Sequence, residues 1–188
     1  MNLPNLLVVI RIAYLPIIVV CAVLNNAWSN SIAVFLLALS IILDFIDGRI
    51  ARKYKQVSQF GSFWDQLSDK LLVNLLWVSM LAIGVFPLWA VLLNLAREFI
   101  VHEVRLVAKS KDLILASEKS GKLKAALQMI AVFVALVFNL LKNINLDLGV
   151  LQYSHQILTV LLIVTLVVAY YALVEFFVKN KNFIKNIP

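Results

Sequence analysis

Cysteine occurs once in the 188 residues, at Cys21, which rules out an intrachain disulfide. Charge is scarce: Asp, Glu, Lys and Arg make up 14% of the chain, and acids number only ten. No internal repeat and no low-complexity segment occurs. No Ser, Cys or His is set out as an activated nucleophile. The basic residues are not interleaved with exposed aromatics on a polar surface, so nucleic acid is not an expected partner. What remains is oil: 63% of residues are hydrophobic and the mean hydropathy is +0.95. A soluble domain of this size is not so apolar, so the expected solvent is a bilayer. The expected organisation is one membrane domain over residues 1–188.

Six apolar segments are expected as spans, and the first, 6–24, is long enough to cross a hydrocarbon core of about 30 Å at about 1.5 Å per residue. They are 6–24, 32–46, 63–83, 88–107, 124–141 and 157–177. The first does not read as a signal peptide. It has no basic lead and no small-residue cleavage site, and further spans follow it. Arg11 lies inside it and must snorkel or pair, so it faces the protein or the interface. Counting basic residues loop by loop gives the orientation. One side holds Arg49, Arg52, Lys53 and Lys55, then Lys109, Lys111, Lys119 and Lys122, then Lys179, Lys181 and Lys185. The other holds little beyond Lys142. The expected fold is an all-α integral membrane protein with six transmembrane helices around a polar cavity facing the cytoplasm. Both termini lie on that side, in the cell membrane, and the net charge of +7 also suits contact with anionic lipid.

Four of the ten acids fall between positions 44 and 69, at the expected cytoplasmic ends of the second and third spans. Asp44 and Asp47 are three apart and Asp65 and Asp69 four apart, so each pair shares one helix face. The two helices are consecutive and joined at the same end, so the carboxylates can converge. Converging anions beside an apolar surface repel unless cations neutralise them. All-oxygen ligands favour magnesium, manganese or calcium over zinc, and two ions suit four shared carboxylates. Gly48, Ala51 and Gly61 clear side chains from the space beside the acids, although helix packing alone would also explain the glycines. Arg52 offers a planar fork for a phosphate oxygen.

The pattern Asp44-x2-Asp47-Gly48-x2-Ala51-Arg52-x8-Gly61-x3-Asp65-x3-Asp69 resembles, at every fixed position, the signature of the CDP-alcohol phosphatidyltransferases. The resemblance implies a six-helix membrane enzyme, usually a homodimer, that transfers a phosphatidyl group from a CDP-linked lipid to an alcohol and releases CMP. Carried over position by position, Asp44, Asp47, Asp65 and Asp69 look like ligands of two magnesium or manganese ions. Asp69 is also similar to the family's general base. Asn5, Asp47, Gly48, Ala51, Arg52 and Gly61 match positions that bind the CDP-lipid, CDP-diacylglycerol.

Three further stretches resemble the branch of the family that uses glycerol 3-phosphate as acceptor. They are Asn2 to Ile12, Ala96-Arg97-Glu98-Phe99 with Arg105, and Gly121-Lys122-Leu123-Lys124 with Gln128. By that resemblance Arg97, Arg105, Lys122 and Lys124 hold the acceptor's phosphate. Cations at one end of a cavity suit a dianionic acceptor. Spacing alone does not converge them: on an ideal helix Arg97 and Arg105 stand about 80° and about 12 Å apart. Positive-inside topology would also explain the lysines, and salt bridges to Glu98 or Glu103 the arginines. His102 is given no role. The chain departs from the branch at Ala125 and Val8, where Thr is usual, and at Gln66-Leu67-Ser68 between the last two acids. Inositol phosphate, serine or phosphatidylglycerol are alternative acceptors. A cation or proton carrier is the non-enzyme alternative, but its acids would lie near the midplane, often on repeats.

Overall fold

The computed structural model describes the backbone of residues 3–53, 59–111, 113, 119–146, 148–181 and 183. Side chains are described for 10–43, 63, 64, 67–111, 113, 120–146, 148–181 and 183. Among the described residues there are six α-helices, one 3-10 helix and no strand. The helices are α1 (Leu3–Leu24), α2 (Ala27–Lys53), α3 (Gln59–Ala82), α4 (Leu88–Ser110), α5 (Lys119–Asn143) and α6 (Ser154–Lys179), with the 3-10 turn at Gly149–Tyr153. Ser120–Asn143 and Gly149–Lys179 are long and apolar enough to cross a membrane, and Ile10–Leu24 and Ala27–Leu43 are shorter apolar stretches. Large apolar side chains stand outward on α6, among them Val160, Val167, Val174 and Val178. Such a helix suits lipid as its surroundings.

Helix ends follow local chemistry and move several expected boundaries. Asn26 caps α2: its Oδ1 accepts from the Ser29 N–H at 2.9 Å, and the Ser29 hydroxyl accepts from the Asn26 N–H at 3.1 Å. This reciprocal box starts the helix at Ala27, where a turn through Ser31 was expected. At its other end α2 continues to Lys53, so Asp44, Asp47, Gly48, Ala51 and Arg52 all lie within one helix. Ala, Arg and Lys favour helix strongly enough to carry the chain past Gly48. After α3, Gly84 sits at φ +74, with its N–H on the Leu81 carbonyl and the Val85 N–H on that of Met80. Asn145, at φ 53, closes α5 by the same pattern onto Lys142 and Leu141.

The chain forms two compact units. One comprises residues Met1–Val85 and Val132–Gln152, and in it α1 packs against both α2 and α3. Its buried positions recur at helical spacing: Arg11, Leu15, Ile18 and Ala22 on α1; Asn30, Ala33, Leu37 and Ser40 on α2; Leu72, Leu76 and Met80 on α3. Ala22 and Ala33, both fully buried, let helix backbones approach closely. Asn143 donates to the Asn25 carbonyl at 2.9 Å, tying the end of α5 to the α1–α2 turn.

The second unit comprises Phe86–Ala131 and Tyr153–Pro188, with α4 packed on α6. Leu158, Leu162, Thr165, Ala169, Ala172 and Phe176 form the buried stripe of α6. Val101, Leu173 and Phe176 make an apolar cluster flanked by Val104, Tyr170 and Phe177.

Candidate functional site

The acidic stretch spans the last turns of α2, the connection and the first turns of α3. Asp44 and Asp47 lie on α2, and Asp65 and Asp69 on α3. The side chains of Asn5, Asp44, Asp47, Gly48, Ala51, Arg52, Gly61 and Asp65 fall outside the described residues. Asp69 is described. Its Oδ1 accepts from Arg11 Nη1 at 2.8 Å; the Arg11 side chain is 1% exposed and that of Asp69 46%. A buried guanidinium thus holds a carboxylate that solvent can reach. One turn further along α1, the Tyr14 hydroxyl meets Ser40 Oγ on α2 at 3.0 Å. Ser40 in turn donates to the Leu36 carbonyl at 2.9 Å, so Tyr14 is the donor to Ser40.

The donor chemistry fits a hard divalent cation. Four carboxylates on two consecutive helices offer only oxygen, and the one described carboxylate is half exposed to solvent. Among the described residues, which include only the Asp69 side chain of the four, no three His, Cys, Asp or Glu side chains gather.

The four expected phosphate-binding cations all lie in the second unit, and the structure brings two of them together. Arg97 is 4% exposed; its Nε donates to the Ala169 carbonyl at 3.2 Å and its Nη1 to Glu98 Oε1 at 3.2 Å. Lys124 donates to the same Glu98 oxygen from α5. Four residues back along α4 and four on along α5, Gln128 donates to Asn94. The matched steps show α4 and α5 antiparallel here, with their polar side chains facing one another. Burial of two cations beside one carboxylate is tolerable only because each is hydrogen-bonded.

Lys122 stands apart from this pair. Because α5 begins at Lys119, Lys122 and Lys124 are separated by about 200° around the helix, and Lys122 is exposed where Lys124 is buried. Arg105 is also exposed, with its guanidinium 5.5 Å from the centre of the Phe176 ring. Sequence reasoning left Arg11 to snorkel or pair and did not name Asp69. It named Glu98 as a partner for arginine, but did not foresee that Glu98 is shared with Lys124. Asn94 was missed altogether. A lone amide among the apolar residues that open α4 was the available clue.

The chain is similar in sequence to proteins of known name. The chain is 36% identical over 136 residues to the CDP-diacylglycerol–glycerol-3-phosphate 3-phosphatidyltransferase of Rickettsia typhi, covering 72% of this chain and 76% of that protein. It is 36% identical over 151 residues to the Bacillus subtilis protein of the same name, covering 74% and 78%. With the Salmonella choleraesuis protein of that name, identity is 32% over 136 residues, covering 69% and 74%. CDP-alcohol phosphatidyltransferases generally use a divalent metal. The family model for CDP-alcohol phosphatidyltransferase matches residues 1–171, and the chain belongs to that family of enzymes.

Proposed function

We propose that the chain transfers a phosphatidyl group from CDP-diacylglycerol to glycerol 3-phosphate, giving phosphatidylglycerophosphate and CMP. Three relatives with that acceptor in their name support the reading. The observation in this chain that carries it is the meeting of two buried cations, Arg97 and Lys124, at one shared carboxylate oxygen. Such a locus suits a dianionic phosphate and would be poorly used by a neutral alcohol.

Asp69 acts as general base. Its carboxylate takes the proton of the acceptor hydroxyl as that oxygen bonds to the phosphorus bearing the diacylglycerol. The diphosphate P–O bond breaks and CMP departs with the bonding electron pair. Asp44, Asp47, Asp65 and Asp69 would hold two magnesium or manganese ions, which when bound would neutralise the diphosphate and the leaving CMP. Asn5, Asp47, Gly48, Ala51, Arg52 and Gly61 bind the CDP-lipid. Arg97 and Lys124, with Arg105 and Lys122, bind the acceptor's phosphate. Residues 1–188 form one membrane domain of six spans, a homodimer in the cell membrane with termini and polar cavity facing the cytoplasm. The purified protein in lipid vesicles should incorporate labelled glycerol 3-phosphate into a lipid whose mass is that of phosphatidylglycerophosphate. Absence of that product in the presence of metal and CDP-diacylglycerol contradicts the proposal.

A further inference from the structure

We infer that Arg11 is a positioning residue for Asp69, and that α1 serves as the rack on which the two acid-bearing helices are held. The inference rests on the reading of Asp69 as base and metal ligand.

Arg11 sits on the buried stripe of α1, in line with Leu15, Ile18 and Ala22, and only 1% of its side chain is exposed. An apolar residue at position 11 would fill the same stripe without the cost of desolvating a guanidinium. Its Asp69 partner is 46% exposed, so solvent weakens the return on that cost. What the pair does supply is orientation. A half-exposed aspartate turns among its rotamers, whereas one oxygen fixed at 2.8 Å by a buried, planar group keeps its carboxylate facing one way.

The same helix face reaches the other acidic helix. Tyr14, three residues on from Arg11, bonds Ser40 on α2, and Ser40 stands one turn before Asp44 and two before Asp47. Arg11 and Tyr14 thus link α1 to α3 and to α2 close to the acids each carries. The relative height of Asp44, Asp47 and Asp69 is set through α1, not by the connection between α2 and α3 alone.

The test uses the full-length protein in detergent micelles, with Mn2+ binding read by electron paramagnetic resonance without substrates, and with kcat and both KM values from CMP release. Arg11→Gln should weaken Mn2+ binding by about tenfold. It should lower kcat by about a hundredfold at saturating metal. Both KM values should stay within about twofold, since uniform binding is untouched. Arg11→Lys should recover part of both losses, because it keeps the charge without the planar fork. The double variant Arg11→Gln/Asp69→Asn should bind Mn2+ no more weakly than Asp69→Asn alone, because nothing remains to be positioned. Full additivity, or Arg11→Gln with wild-type kcat and Mn2+ binding, overturns the inference. If Arg11→Gln does not fold, Arg11→Lys decides: a loss of about tenfold in kcat with unchanged KM values supports positioning, and wild-type kcat overturns it. Full activity in Asp69→Asn would instead overturn the underlying assignment of Asp69, a result distinguishable from the others.

Discussion

Lys124 and Arg97, on different helices, donate to the same oxygen of Glu98. Glu98 therefore does for these cations, inside the protein, what an acceptor phosphate would do as a ligand. Removing its charge leaves two buried cations facing each other. Glu98→Gln should cost about 3 kcal/mol of stability, as loss of one member of a buried ionic cluster does. Glycerol 3-phosphate should then raise the variant's melting temperature more than that of the wild type, because it restores the missing anion. Differential scanning fluorimetry with and without the acceptor measures both effects.

Lys124→Ala and Lys122→Ala should separate cleanly. Lys124 is buried against Glu98, and its loss should raise the acceptor KM by tenfold or more, about the worth of one charge-assisted hydrogen bond. Lys122 is exposed on another face, so its loss should change that KM by a smaller factor. Steady-state kinetics on the two variants at fixed CDP-diacylglycerol checks the order. Equal effects would mean that the acceptor draws both lysines to one point.

Arg105→Ala should raise the acceptor KM more than the lipid KM. Its guanidinium lies over Phe176, a ring that also anchors the apolar cluster with Val101 and Leu173. Phe176→Leu should therefore change the acceptor KM in the same direction as Arg105→Ala, by less. An equal rise in both KM values would argue against a phosphate contact.

Gly84→Ala tests the fold apart from the chemistry. A Cβ there meets nothing within 4 Å, yet the backbone stands at φ +74. The cost should be about 1–2 kcal/mol, from the left-handed conformation alone. Activity per folded molecule should be unchanged, measured by CMP release normalised to folded protein.

Chelation should be decisive for the acids. EDTA should stop CMP release, and excess Mg2+ or Mn2+ should restore it, because four carboxylates around a diphosphate need neutralising cations. Zn2+ should restore it poorly, given a donor set of oxygens only.

Much of this was legible in the sequence because it is written in local terms. Apolar run length gave six helices, and fixed spacing placed Asp44 and Asp47 on one helix and Asp65 and Asp69 on the next. The family followed from eight residues, and the comparisons bear it out. What spacing does not carry is contact between distant segments. Arg11 and Asp69 are 58 positions apart, and Glu98 and Lys124 are 26 apart. Those pairs depend on how helices pack, which periodicity constrains only to a face. Boundaries moved for a different reason. The Asn26–Ser29 box begins α2 earlier than hydropathy does, and helix-favouring Arg and Lys carry it beyond the apolar run to Lys53.

The measurement that bears most directly on the central claim is CMP release from labelled CDP-diacylglycerol by the purified protein with metal. It should be run in parallel with glycerol 3-phosphate, inositol phosphate, serine and phosphatidylglycerol. Release with glycerol 3-phosphate, and little above background with the other three, is the predicted result. No release with glycerol 3-phosphate alongside clear release with another acceptor would contradict the account.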